Sequence, residues 1–162
     1  MAAGLSLKEE NVEKFTKRMN ELCKLTQEDF CPVVSIDVAM PLSYITESLI
    51  EQLTLLEPFG KGNTKPVFAA RNVEVLSVRV VGKNANVLKL TFLTEEKRTM
   101  DGVYFGDTEE FFSYVEKKFG EDTLGKMKKG EKSGVKLTMV YYPEINEYNG
   151  VRKIQIVMQK YR

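Results

Sequence analysis

The dominant hydrophobic period of these 162 residues changes at a segment dense in turn formers. Upstream of it apolar residues recur mostly every three to four positions; downstream they mostly alternate. A helix presents one face with a period of about 3.6 and a strand with a period of about two, so the two parts build different kinds of layer. The dividing segment, Glu57 to Phe68, holds two Pro and two Gly in twelve residues and reads as a stiff, turn-rich connector. Its Gly60 to Lys65 stretch (GKGNTK) has the composition of a phosphate loop but lacks the required glycine, lysine and hydroxyl spacing, which excludes that reading.

Upstream, Val12, Phe15, Met19, Leu22 and Cys23 fall on one face of a helix between Lys8 and Leu25, with charges opposite. Such a stripe must pack on something. Ser35 to Ala39 alternates like a short strand, Pro41 interrupts, and Ile45 to Leu56 reads as a second helix carrying Ile45, Leu49, Ile50 and Leu53.

Downstream, Asn72 to Val81 predicts a first strand, with Leu76, Val78 and Val80 on one face and Ser77, Arg79 and Val81 on the other. Val87 to Thr94 predicts a second, with Leu88, Leu90 and Phe92 inward and Lys89 and Thr91 outward. Met100 to Phe105 predicts a third, with Val103 and Phe105 on one side and Tyr104 on the other. Asp107 with Glu110 caps a helix that ends at Gly120, and a Lys- and Gly-rich loop follows. Asn149-Gly150, between strand-like runs at Val135 to Tyr148 and Val151 to Tyr161, is a strong hairpin signal. Three strands, a helix and two strands is the order of a five-stranded OB barrel, here preceded by a helical and connector segment. The expected class is mainly β with flanking helices.

The chain contains no histidine, which removes every Ser-His, Cys-His and His-metal mechanism. The two cysteines, Cys23 and Cys31, are too few for a disulfide framework. No apolar run is long enough to span a membrane, and a signal-peptide pattern is lacking, so a soluble, cytoplasmic protein is expected. Residues 1–60 carry 5 basic and 10 acidic side chains, residues 61–162 carry 19 and 13. The mildly basic C-terminal part suits a polyanion, or equally a solvated mixed surface.

Leu56-Glu57-Pro58-Phe59-Gly60-Lys61-Gly62-Asn63, followed by Pro66 and Phe68, resembles the Pro-Phe-Gly-x-Gly-Asn-x-x-Pro-x-Phe signature of the bacterial RecJ family of single-stranded-DNA-specific exonucleases. Met1 to Leu7 resembles the segment after the Gly-Gly-His of that family's DHH-associated domain. Val81-Gly82 with Leu88-Lys89-Leu90 resembles its Val-Gly turn and second strand, and Ile145 to Gly150, closing on Arg162, its C-terminal hairpin. The resemblance implies a remnant of the DHH-associated domain over 1–36, a connector over 37–66 and an OB domain over 67–162. It implies a 5′-to-3′ exonuclease of DNA repair and recombination as parent, using Mn²⁺ or Mg²⁺ held by Asp and His of a DHH domain. This chain has neither that motif nor any His, so no catalytic residue, metal ligand or cofactor is assigned to it, and by itself it is expected to be inert.

OB barrels bind single strands across the outer face of their second and third strands, with Lys or Arg on phosphates and flat side chains under bases. The predicted register puts Arg79, Lys89 and Tyr104 on that face, Lys83 in the first loop, and Tyr148, Arg152 and Lys153 at the hairpin. Each basic residue is also what a solubilising surface would carry, and Tyr104 could equally close the barrel end with its hydroxyl in water. Tyr141 and Tyr142 face opposite ways, so one belongs to the core. Lys126, Lys128, Lys129 and Lys132 read as a solvated loop, with phosphate contact as the alternative, and Phe59 and Phe68 as packing anchors rather than base-stacking groups, with Gly60 and Gly62 in tight turns that a Cβ would obstruct. The expected partners are single-stranded DNA, the DHH and DHH-associated domains of the parent, and a single-stranded-DNA-binding protein. A structural or protein-docking module with little DNA affinity is the alternative.

Overall fold

The computed structural model describes residues 4–30 and 33–162 and divides into two compact units, Met1–Val34 and Ser35–Arg162. Met1 to Ala3 of the N-terminal motif, and Cys31, lie outside the described residues.

The first unit is built on helix α1 (Val12–Leu22), entered through a 3-10 turn at Glu9–Asn11 and followed by another at Gln27–Phe30. The apolar stripe expected from the sequence is present, and Val12, Phe15, Met19 and Leu22 are all exposed. Asp29 accepts hydrogen bonds from the Thr26 backbone N–H (2.6 Å) and hydroxyl (3.0 Å), which hold its carboxyl below the usual range.

The second unit begins with a two-residue strand, β1 (Val38–Ala39), and helix α2 (Glu47–Thr54), which the Thr46 hydroxyl caps by accepting from Leu49 N–H at 3.1 Å. Then come β2 (Phe68–Val81), β3 (Val87–Leu93), β4 (Thr99–Phe105), helices α3 (Thr108–Phe119) and α4 (Glu121–Lys129), β5 (Lys136–Tyr148) and β6 (Val151–Tyr161). Asp107 caps α3 as expected, accepting from Glu109 and Glu110 N–H. Asn149 and Gly150 both take positive φ, the geometry a two-residue hairpin of this hand requires.

Five strands close into a ring in the order β2-β3-β4-β6-β5, returning to β2, with β4 and β6 parallel. This is the OB order. Closure falls on β2, whose first half pairs with β5 and whose second half pairs with β3. Two bulges bend it, one around Asn72 at positive φ and one at Leu76. The second bulge corrects the predicted face: Val73, Val75 and Val78 are buried, and Leu76, the extra residue, is pushed partly outward. Val80 shares the inward side but lies at the open rim and is exposed.

Leu88, Leu90 and Phe92 fill the barrel as predicted, with Leu137, Met139, Tyr141, Ile156 and Met158 from the other wall. Residues upstream of the ring join the same buried cluster through Leu42, Ile45 and Ile50. Of the paired tyrosines, Tyr141 is the core residue, and its hydroxyl donates to the Met40 carbonyl at 2.8 Å. Phe68 is buried against its ring, 5.9 Å between centroids.

The third strand reverses the sequence reading. Leu88, Leu90 and Phe92 pair directly with Tyr104, Gly102 and Met100, and directly paired residues share a face. Tyr104 therefore points inward and is 9% exposed, while Phe105 points outward and is 63% exposed. Gly102 hides the inward alternation: it has no side chain to reveal its side, and a Cβ there would overlap the Phe92 ring. Tyr104 joins Phe111 and Tyr161 in a cluster of tilted and edge-to-face rings under α3. Burial pushes the Tyr104 and Tyr161 hydroxyls up from the ordinary tyrosine range.

The Lys-rich segment is helical rather than a loop over most of its length. Leu124 and Met127, three residues apart, bury one face of α4 in spite of Gly125, and Lys126, Lys128 and Lys129 form its last turn. In the connector, Asn63 Nδ2 donates to the Leu56 and Pro58 carbonyls (2.8 and 3.0 Å), and Gly60 and Asn63 exchange backbone hydrogen bonds. Gly62 needs its positive φ; at Gly60 a Cβ would meet nothing, so steric obstruction does not explain that glycine.

Candidate nucleic-acid interface

Strand register defines the outer face of the barrel row by row. One row runs Arg79, Lys89, Val103, Val157 and Tyr142 across β2, β3, β4, β6 and β5. The next runs Ser77, Thr91, Asp101, Gln155 and Glu144. On the other side of the first row, β3 and β4 end with Val87 paired to Phe105. Val103 and Val157 form an apolar floor, and charged and aromatic side chains stand around it.

The polar side chains of the second row are tied together. Ser77 Oγ donates to Thr91 Oγ1 at 3.0 Å, Gln155 Nε2 donates to Glu144 Oε1 at 2.9 Å, and Asn146 Nδ2 donates to Gln155 Oε1 at 3.3 Å. These bonds orient the amides on a rigid sheet. Lys65 Nζ lies 3.7 Å from the centroid of the Tyr142 ring, a cation held over a π-face. Burial, and then the Glu144 carboxylate, raise the Tyr142 hydroxyl above its ordinary range.

A groove of about 400 Å³ opens on this face, and Lys89, Asp101, Asn146, Tyr148, Lys153 and Gln155 line it. Lys89 comes from β3 and Lys153 from β6, and the β5–β6 hairpin carries Tyr148, 74% exposed. Arg79 is the direct register partner of Lys89, and Lys83 is exposed in the β2–β3 turn.

Of the seven residues singled out from the sequence, three (Lys89, Tyr148, Lys153) line one groove and Arg79 extends their face. Two leave it. Tyr104 belongs to the core, as described above. Arg152 is one position from Lys153 and, with a period of two, projects to the opposite side, where its Nη2 meets Glu51 Oε1 at 3.6 Å. Lys128, in α4, has its Nζ 4.5 Å from the centroid of the Phe112 ring of α3.

Sequence reasoning missed Phe105, the exposed aromatic at the β2–β3 turn end of the face, and the polar set Asp101, Asn146 and Gln155. Pairing β4 to β3 through Gly102 would have found Phe105. The polar set carries no sequence signal, because it is assembled from three strands.

Among the described residues no group of three or more Cys, Asp and Glu side chains is placed to hold a metal ion. Among them, too, no helix is long and apolar enough to cross a membrane.

The family model for the RecJ OB domain matches residues 36–160. RecJ of Bacillus subtilis (strain 168), a single-stranded-DNA-specific exonuclease, is 31% identical over 161 residues, which cover 98% of this chain and 18% of that protein. RecJ of Thermus thermophilus superposes with a TM-score of 0.58 in its Mn²⁺ complex, at 17% identity, over 97% of this chain and 20% of the other. The Mg²⁺ complex gives 0.59 at 16% identity, over 97% and 21%. At that identity the superposition establishes the fold, and the chain spans about a fifth of the length of these relatives.

Proposed function

Because the chain belongs to the RecJ OB domain family, we propose that its barrel binds single-stranded DNA across the outer face of β3, β4 and β6. The observation that carries this reading is one rigid groove holding Lys89, Lys153 and exposed Tyr148, with Phe105 exposed farther along the same face. Lys89 and Lys153 neutralise phosphates, with Arg79 and Lys83 extending the track toward the β2–β3 turn. Phe105 and Tyr148 offer stacking surfaces, which every base can use. Asp101, Asn146 and Gln155 contact base edges, with the carboxylate accepting from exocyclic amines and the amides both donating and accepting. Asp101, in the row between those of Lys89 and Lys153, also repels phosphate, which leaves the backbone to the flanking lysine rows.

In a longer RecJ-like protein the module guides the strand for a catalytic core that lies outside this chain. The Mn²⁺ and Mg²⁺ of the Thermus thermophilus RecJ structures would serve that core.

The test is fluorescence anisotropy of labelled oligothymidylate against the full chain at two salt concentrations. Binding that weakens steeply with salt and differs little between oligothymidylate and oligocytidylate is expected. Salt-insensitive binding, or none at low salt, would overturn the reading in favour of a purely structural module.

A further inference from the structure

A second cleft, of about 470 Å³, lies between α2, the turn around Gly60 and Gly62, and the β5–β6 hairpin. Its apolar surface comes from Ile50, Leu53, Phe59, Phe68 and Ile145. Its charged residues are Glu51, Glu57, Glu144 and Glu147 against Lys65 and Arg152. Both cations are engaged within the protein: Arg152 is paired with Glu51, and Lys65 lies over the Tyr142 ring. Glu57 and Glu147 are exposed. Glu147 faces Arg152 in register across the hairpin, but four carboxylates against two cations leave the apolar groove acidic, so it repels phosphate and favours a cationic, apolar occupant. Its size suits a few side chains rather than a whole domain surface.

We propose that this cleft docks a segment of a partner protein that presents a bulky apolar side chain between lysines or arginines. The apolar side chain enters between Ile50, Leu53 and Ile145, where leaving water supplies affinity. The flanking cations meet Glu57 and Glu147 at the rim, where exposed charges set specificity and association rate more than strength. The surface is independent of the outer-face groove and does not require that groove to bind DNA. Tyr142 and Glu144 lie on β5 between the two.

The test uses two model peptides with the same Leu-Phe centre, one flanked by Lys and Arg and one by Glu and Asp. They are titrated into the full chain carrying labelled Ile, Leu and Val methyl groups. The basic peptide is expected to shift Ile50, Leu53 and Ile145, leave Val103 and Val157 unmoved, and bind about tenfold more tightly than the acidic one at low salt. Glu57→Gln combined with Glu147→Gln, two exposed changes that the methyl spectrum can verify as folded, should reduce that preference to about twofold or less. Equal or tighter binding of the acidic peptide, or no shift at these methyls with either peptide, would overturn the proposal. Shifts at the same methyls on adding oligothymidylate would also overturn it and assign the cleft to nucleic acid.

Discussion

Tyr104 and Phe105 are neighbours in sequence with opposite tasks, and truncating each separates stability from binding. Tyr104 is buried beside Phe111 and Tyr161, with ring centroids at 6.2 and 5.5 Å. Removing a buried aromatic costs about 3–5 kcal/mol. At roughly 3–5 °C per kcal/mol for a unit of this size, Tyr104→Ala should lower Tm by about 10–20 °C. Phe105 is 63% exposed, so Phe105→Ala should change stability by no more than about 0.5 kcal/mol. Where its ring stacks on a base, however, the same change costs about 1–3 kcal/mol of binding. That is about 5- to 150-fold in Kd. Thermal melts by circular dichroism and anisotropy with oligothymidylate read the two effects. Tyr104→Phe keeps the packing and should leave Kd unchanged, which supplies a folded control. If Phe105→Ala binds within about twofold of the parent chain while Tyr104→Phe weakens binding, the inward assignment of Tyr104 and the stacking role of Phe105 are both wrong.

Three further outcomes are expected. Lys89→Gln and Lys153→Gln should each flatten the dependence of log K on log salt by up to ~0.7, whereas Arg152→Gln and Lys128→Gln should leave the slope alone; anisotropy across a salt series decides. Gly102→Ala forces a Cβ into the Phe92 ring and should destabilise the barrel by about 1–3 kcal/mol, read as a lower urea midpoint at unchanged m-value. Burial raises Tyr141 and Tyr161 above the free value of 10.0. The folded state therefore holds protons that the unfolded state releases, so stability is intact below about pH 10 and falls as pH rises beyond it. Tyrosinate absorbance should appear together with loss of the near-ultraviolet dichroism, and its appearance from these two rings at pH 10 in a fully folded protein would contradict their packing.

The ring order was legible because each of its causes is local: alternation in β3, the Asp107 cap, the Asn149-Gly150 turn. What was hidden depends on partners remote in sequence. Tyr104 reads as outward in the sequence because Gly102 leaves the alternation of β4 without a marker, and only pairing with Leu88 fixes its side. Arg152 and Lys153 looked like one basic pair until the pleat sent them to opposite surfaces. Leu76 looked like core because a bulge leaves no trace in composition. The lysines after Gly120 looked like a loop because Gly125 lowers helix propensity, which the burial of Leu124 and Met127 overrides. Half of the candidate face was readable as lysines and a hairpin tyrosine; Asp101, Asn146 and Gln155 were not, since three strands must assemble before they meet.

The double pairing of β2 also sets the order in which this chain can become a barrel. Its second half meets β3 across a short turn, but its first half waits for β5, with Phe68 opposite Tyr141. Closing that longer loop costs about 2 kcal/mol more chain entropy than closing the β2–β3 turn. During synthesis β5 and β6 emerge after β4, so the β2–β3–β4 meander exists for a time with Leu88, Leu90 and Phe92 uncovered and with the first half of β2 unpaired. An open edge beside an apolar face is a template for joining another chain. For this protein the interval before β5 arrives is the one in which aggregation competes with folding.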